Sequence, residues 1–281
     1  MYLRTLTLLL FGVCLLSSCE KSEELTIRSS ERPLEFSDKF LEQIYENSGT
    51  LHNLALDKLY NQLQQMHPSE KYEISTKEIN EKVFGVLDVR SESTINMSDI
   101  DILTPVLAEG KIEFIRFHSL GELVSVSAEL DNASEEIRNA IYNLWGSSSL
   151  NAELDRVLNK NISSLSNDVE KFALVSMVSV AKSSCQYWRE NGEKWLSLKN
   201  TSQVQLRGNP WKNAAWADIM GAGTGAVRGA AIGLAGGTVA IPGLGTAVGG
   251  AGGVMVGMIS GAIMGSAGAG ISSVAQWIVG W

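Results

Sequence analysis

Charge is absent from the end of this chain: after Arg228 no acidic or basic residue occurs before the terminal Trp281. Histidine and cysteine are scarce too, at three each in 281 residues. The histidines are His52, His67 and His118, and no HExxH, GxSxG or P-loop lysine pattern accompanies them. The usual routes to metallohydrolase, serine-hydrolase and nucleotide chemistry are therefore missing. His52 and Asp57 stand at i, i+5, which is not a shared helix face. Ser183-Ser184-Cys185 would be a nucleophile only with His52 or His118 beside it, and reads instead as a polar helix face. Gly221-Ala222-Gly223 has no strand before it, so a dinucleotide fingerprint fails on context. No catalytic residue, metal or cofactor is expected, and the chain is not read as an enzyme.

The cysteines exclude a disulfide framework and any cysteine-based zinc spacing. Cys14 lies in an N-terminal leader, Cys19 at its end, and Cys185 has no later partner, so it reads as a small core residue. No Lys/Arg-rich run occurs and the net charge is −8, which argues against nucleic-acid partners.

The leader occupies residues 1–18. Arg4 supplies the positive start and residues 6–16 the apolar stretch of a signal peptide. Leu16-Ser17-Ser18-Cys19 resembles the lipobox of bacterial lipoproteins, and the resemblance implies lipidation of Cys19. Residues 19–34 form an acidic tether. Its start, Glu20-Lys21-Ser22-Glu23-Glu24, is similar to the export signal of surface-exposed lipoproteins in the Bacteroidota.

Residues 35–207 carry mainly helical periodicity and are expected to form an extracytoplasmic helical bundle. Ser37-Asp38 predicts a cap, with Phe36, Phe40, Leu41, Ile44 and Tyr45 on one face and Gly49 as the stop. A second helix is predicted from Leu51 to His67-Pro68, and a third from Ser75 through Leu87. Residues 111–130 admit helix or strand, with Ile112, Phe114, Val124 and Val126 at period two leaving a short hairpin open. Further helices are predicted from Asn132-Ala133-Ser134-Glu135 to Gly146, over residues 150–165, and from an Asn167-Asp168 cap through Tyr187. Tyr187-Trp188 and Trp195 read as packing aromatics. Gly208-Asn209-Pro210 marks a boundary.

Residues 211–281 hold the strongest pattern. Gly221, Gly225, Gly229, Gly233 and Gly237 recur every fourth residue; Gly245, Gly249, Gly253, Gly257, Gly261 and Gly265 repeat the spacing after Ile241-Pro242-Gly243-Leu244, read as a turn. Glycine is costly inside a helix in water but lets helices approach closely in lipid. Residues 216–238 would make about 35 Å of helix, enough for a hydrocarbon core of about 30 Å. Trp211, Trp216, Trp277 and Trp281 would lie together at the membrane interface. Arg228 would be an intramembrane charge, snorkelling, contacting helix carbonyls, or facing water in an oligomeric pore.

The expected fold is therefore mainly α: a soluble helical bundle followed by a two-helix glycine-zipper transmembrane hairpin. The zipper resembles those of pore-forming bacteriocins and of envelope lipoproteins. That resemblance implies a lipid-anchored envelope protein, in the outer membrane, whose hairpin inserts into a bilayer, self-associates and permeabilises it. The alternative is a structural lipoprotein whose hairpin only anchors a domain that binds an envelope partner.

Overall fold

A computed structural model describes residues 37–65, 90–91, 117–196, 209–233, 238–241, 245–248 and 258. The described elements in chain order are helix α1 (Asp38–Gln65), strand β1 (Arg90–Ser91), helices α2 (Ala128–Leu144), α3 (Leu150–Asn161), α4 (Asp168–Leu196) and α5 (Pro210–Gly233), and strands β2 (Thr238–Ile241) and β3 (Gly245–Val248). Short 3-10 turns at Leu120–Glu122 and Ile162–Ser164 precede α2 and follow α3. The leader, Cys19, the acidic tether and the helix expected from Ser75 lie outside the described residues.

Helix α4 is the centre of the bundle, with α1 and α5 packed along it and α2 and α3 closing further sides. One apolar core runs through all five helices, and Trp188, Trp195, Trp216 and Phe172 are its largest fully buried side chains. The mainly α expectation stands; the transmembrane hairpin does not.

Local chemistry sets most helix starts. The Phe40 amide donates to Ser37 Oγ at 3.2 Å, Val169 N to Asn167 Oδ1 at 2.8 Å, and Lys212 N to Asn209 Oδ1 at 3.2 Å. Each satisfies an amide that the first turn leaves open. Pro210 opens α5, where its missing N–H costs nothing. Helix α2 begins earlier than its sequence suggested. Ser127 is its cap and accepts from Leu130 N, while its own amide and hydroxyl donate to the Glu170 carboxylate of α4 at 2.8 and 2.6 Å. A long-range partner moved that boundary. Val124 and Val126 join no strand and lie between the 3-10 turn and α2, so the open hairpin is not formed there.

Gly49 is not a stop. Helix α1 runs straight through it for 28 residues, merging two expected helices. A Cβ at Gly49 would lie 2.5 Å from the Ser179 carbonyl oxygen and 2.6 Å from Ser183 Cβ, so glycine is what lets α1 lie this close to α4. The Ser179 hydroxyl then enters the α1 ladder. It accepts from Gly49 N at 3.0 Å and donates to Tyr45 O at 2.7 Å, bridging two groups that an uninterrupted helix would pair directly.

Past α5, residues 238–241 and 245–248 form strands, and Met258 is helical. β2 pairs antiparallel with β3, from Thr238↔Val248 to Ile241↔Gly245, and β1 adds Arg90↔Ala240 on the other edge. Ile241 ends one strand and Gly245 opens the next instead of a second membrane helix, while residues 242–244 of the expected turn lie outside the described residues. β-branched Thr238, Val239 and Ile241 suit a pleated ribbon better than a helix.

Among the described residues no helix is long and apolar enough to cross a membrane. Helix α5 covers residues 216–233 of the expected 216–238 crossing, but it contains Lys212, Asp218 and Arg228, and residues 214–227 are all buried in the protein. A helix that is apolar all round suits either lipid or a protein core. Here the wall is protein.

Candidate functional site

The densest polar arrangement lies where α1, α4 and α5 meet. Asp218 of α5 is fully buried, as are Ser184 and, to within 1%, His52 and Trp188. Ser184 Oγ donates to Asp218 Oδ2 at 2.6 Å and Trp188 Nε1 donates to the same oxygen at 2.7 Å. His52 Nε2 stands 3.3 Å away from that atom. Ser184 and Trp188, four apart, share one face of α4. A buried carboxylate is tolerable only with such partners, because desolvation penalises it heavily otherwise. Sequence reasoning named His52, Ser184 and Trp188 but passed over Asp218, the residue that unites them. The available signal was that Asp218 is the one acid after Glu193, in the most apolar stretch of the chain.

The arrangement is a serine, a histidine and an aspartate, yet not in relay order. Serine and histidine both approach the carboxylate, and burial shuts the cluster from solvent. The shared oxygen ties α1, α4 and α5 together. Cys185, free and buried next to Ser184, has its thiol pKa pushed well up by burial and by the Asp218 charge, so it carries no reactive thiolate.

A second cluster joins α1, α3 and α4. Lys182 Nζ donates to both Asp155 oxygens at 2.9 Å and to Tyr45 Oη at 2.7 Å, and Tyr45 Oη donates to Asp155 Oδ1. Burial pushes the Lys182 pKa down, but the hydrogen bonds to Tyr45 and Asp155 outweigh it, so the net shift is upward. Burial, then the Asp155 hydrogen bond, raises Tyr45. A third cluster sits further along α4. Tyr187 Oη and Lys194 Nζ donate to Asp57 Oδ1 at 3.1 and 2.6 Å, and Trp195 Nε1 donates to Tyr187 Oη at 3.2 Å. Tyr187, Trp188 and Trp195 are thus packing aromatics with satisfied polar ends.

One open feature adjoins the second cluster. A cleft of about 300 Å³ lies between the turn at 146–148, the start of α3 and α4, lined among others by Ser147, Ser148, Asn151, Lys182, Gln186 and Arg189. Gly146 has φ +80°, a left-handed conformation that glycine adopts freely and that turns the chain out of α2. No carboxylate lines the cleft.

The residues assigned to a membrane lie elsewhere. Gly221, Gly225 and Gly229 are buried in α5 and Gly233 ends it. Gly237, Gly249, Gly253, Gly257, Gly261 and Gly265 lie outside the described residues. The tight glycine of α5 is Gly223, off the four-residue register, where a Cβ would meet Met177 Sδ at 2.7 Å. Trp216 is no interface anchor: it is fully buried and donates Nε1–H to Phe117 O at 3.0 Å. Trp211 stacks on Trp188 with ring centroids 5.8 Å apart and planes 6° apart. Trp277 and Trp281 lie outside the described residues. Arg228 is half-buried, with Nη2 donating to Leu123 O at 3.4 Å and burial lowering its pKa. It faces protein carbonyl rather than acyl chain or pore water.

With α5 inside the core, the expected hairpin insertion, bilayer partner, zipper self-association and envelope-membrane localisation lose their physical basis. The alternative in which the same hairpin anchors a domain falls for the same reason. The lipoprotein and bacteriocin resemblances find no counterpart: no family model, no curated protein and no solved structure matches this chain.

Proposed function

We propose that the helical domain is a non-catalytic binding module that captures an oxyanion group, phosphate or carboxylate, in the cleft beside α4. The observation that carries this reading is the convergence of Lys182 and Arg189 on one cavity of a chain with net charge −8. In an acidic protein, exposed Arg189 at a concavity without a lining carboxylate is a local exception that draws anions in. Lys182, Cys185, Gln186 and Arg189 follow helical spacing along one face of α4. Exposed Arg189 offers a planar fork suited to two oxygens of one group, while Lys182, paired with Asp155 and Tyr45, fixes the wall beside it. Ser147, Ser148 and Asn151 contribute neutral polar groups at the opposite wall. Ser149 makes no side-chain cap to the first turn of α3, whose amides add to the positive field.

The non-catalytic part rests on how reactive groups are used. His52, Ser184 and Asp218 spend their polar atoms on one another out of reach of solvent, and Cys185 is held as a neutral thiol.

The test is a ¹H–¹⁵N titration of the full chain with inorganic phosphate and, separately, succinate. Saturable shifts are expected at Ser147, Ser148, Asn151 and Arg189, with Arg189→Gln weakening binding by about tenfold, or ~1.4 kcal/mol. The anion that saturates at lower concentration identifies the group. Failure of both to saturate, or equal binding by Arg189→Gln, refutes the reading.

A further inference from the structure

We propose that the group captured in the cleft is the C-terminal end of a peptide: a carboxylate with an amide N–H on the same residue. This rests on the anion reading of the cleft and narrows it to one class of ligand.

Charge favours a carboxylate over a phosphate. Lys182 reaches both Asp155 oxygens at 2.9 Å, so that pair adds no net charge to the wall. Arg189 makes no ion pair among the described residues. Its guanidinium is therefore the net charge of the lining, and one carboxylate balances it. A phosphate ester carries about −1.5 to −2 near neutral pH, which exceeds what Arg189 supplies. It would also meet Glu190, whose carboxylate is held against the lining residue Gln186.

The neutral groups of the lining call for a donor as well as an anion. Gln186 Nε2 donates to Glu190 Oε1 at 2.9 Å. A carboxylate can only accept, so the amide orientation is fixed and Gln186 Oε1 remains as an acceptor. Asn151 and Ser148 make no side-chain hydrogen bond among the described residues, and each can both donate and accept. A bare oxyanion has no proton to give to Gln186 Oε1. A peptide terminus has every complement: carboxylate oxygens for the Arg189 fork, an N–H for Gln186 Oε1, and a preceding carbonyl for Asn151 Nδ2 or the Ser148 hydroxyl. Leu150 and the neutral Cys185 thiol add an apolar seat for a small side chain. A volume of about 300 Å³ stands at the lower end of small-ligand pockets and suits the last residue or two of a chain.

The experiment is a ¹H–¹⁵N titration of the full chain with four probes. N-acetylglycine is the minimal peptide terminus, acetoxyacetate replaces its N–H by an ester oxygen, N-acetylglycinamide removes its charge, and inorganic phosphate is the competing anion. N-acetylglycine is expected to saturate at a concentration about tenfold below acetoxyacetate, with phosphate weaker still. N-acetylglycinamide is expected to give no saturable shift. Gln186→Met, at an exposed position, is expected to bring N-acetylglycine and acetoxyacetate to the same affinity. Equal binding of those two by the parent chain, tighter binding of phosphate, or a tenfold gap that survives Gln186→Met overturns the peptide terminus and leaves the anion site standing. Saturation by none of the three anions, or binding of N-acetylglycinamide as tight as that of N-acetylglycine, removes the anion site and this proposal together.

Discussion

At Gly49 the backbone of α1 lies close against that of α4, and replacing it with alanine isolates the cost of that approach. On an isolated helix, alanine would gain roughly 0.8–1 kcal/mol over glycine. In this bundle the new methyl would stand 2.5 Å from Ser179 O and 2.6 Å from Ser183 Cβ. One of these is backbone, so a side-chain rotation cannot relieve it. Separating α1 from α4 would stretch the Gly49 N to Ser179 Oγ bond and the Asn53 Nδ2 to Ser183 O bond, both at about 3 Å. Overpacking of this kind costs about 1–3 kcal/mol and each weakened hydrogen bond about 1 kcal/mol. Set against the propensity gain, Gly49→Ala is expected to destabilise by about 1–3 kcal/mol. Urea unfolding followed by circular dichroism measures it, with Gly223→Ala as the contrast. There the Cβ meets the flexible end of Met177 at 2.7 Å, which can move, so the loss is expected to stay within about 1 kcal/mol. A Gly49→Ala protein as stable as its parent would refute the close-approach argument.

Three other outcomes follow from the same geometry. Ser179→Ala leaves Gly49 N–H and Tyr45 C=O without their bridge, and is expected to lower stability by about 1–3 kcal/mol in denaturant titration. Trp216→Phe strands the Phe117 carbonyl at a loss of about 1–3 kcal/mol, and a change in tryptophan emission on unfolding should accompany it. Lys182, with its folded pKa raised, contributes stability that is complete below its unfolded pKa and lost as pH climbs through the folded value; the stability gap of Lys182→Met should therefore shrink only in strongly alkaline solution. At neutral pH that gap is expected near 1 kcal/mol or less, since Asp155 is 39% exposed and solvent screens the pair.

What could be read directly from the sequence was local. Ser37, Asn167 and Asn209 cap helices through bonds spanning two or three residues, and the residues carry that information themselves. Ser127 escaped because Glu170, 43 positions later, helps fix the start of α2. Gly49 was ambiguous because glycine serves both for stopping a helix and for seating one against another. The C-terminal misreading has the same origin on a larger scale. A Gly/Ala-rich helix without a polar face must be surrounded by something apolar, and sequence alone does not distinguish acyl chains from Met177 and Leu120. Asp218, placed among donors it alone satisfies, was the residue that separated the two. The cleft was not legible, since Ser147 and Arg189 are brought together only by the turn at Gly146.

The position of Asp218 also bears on the order in which the bundle is made. His52, Ser184 and Trp188 are all synthesised before residue 218, so the α1–α4 pair leaves the ribosome with its polar donors directed at an empty slot. Glycines give α5 little tendency to wind up unaided. Docking and coiling of this helix are therefore one event, and the nascent protein stays open at its centre until the final third of the chain arrives.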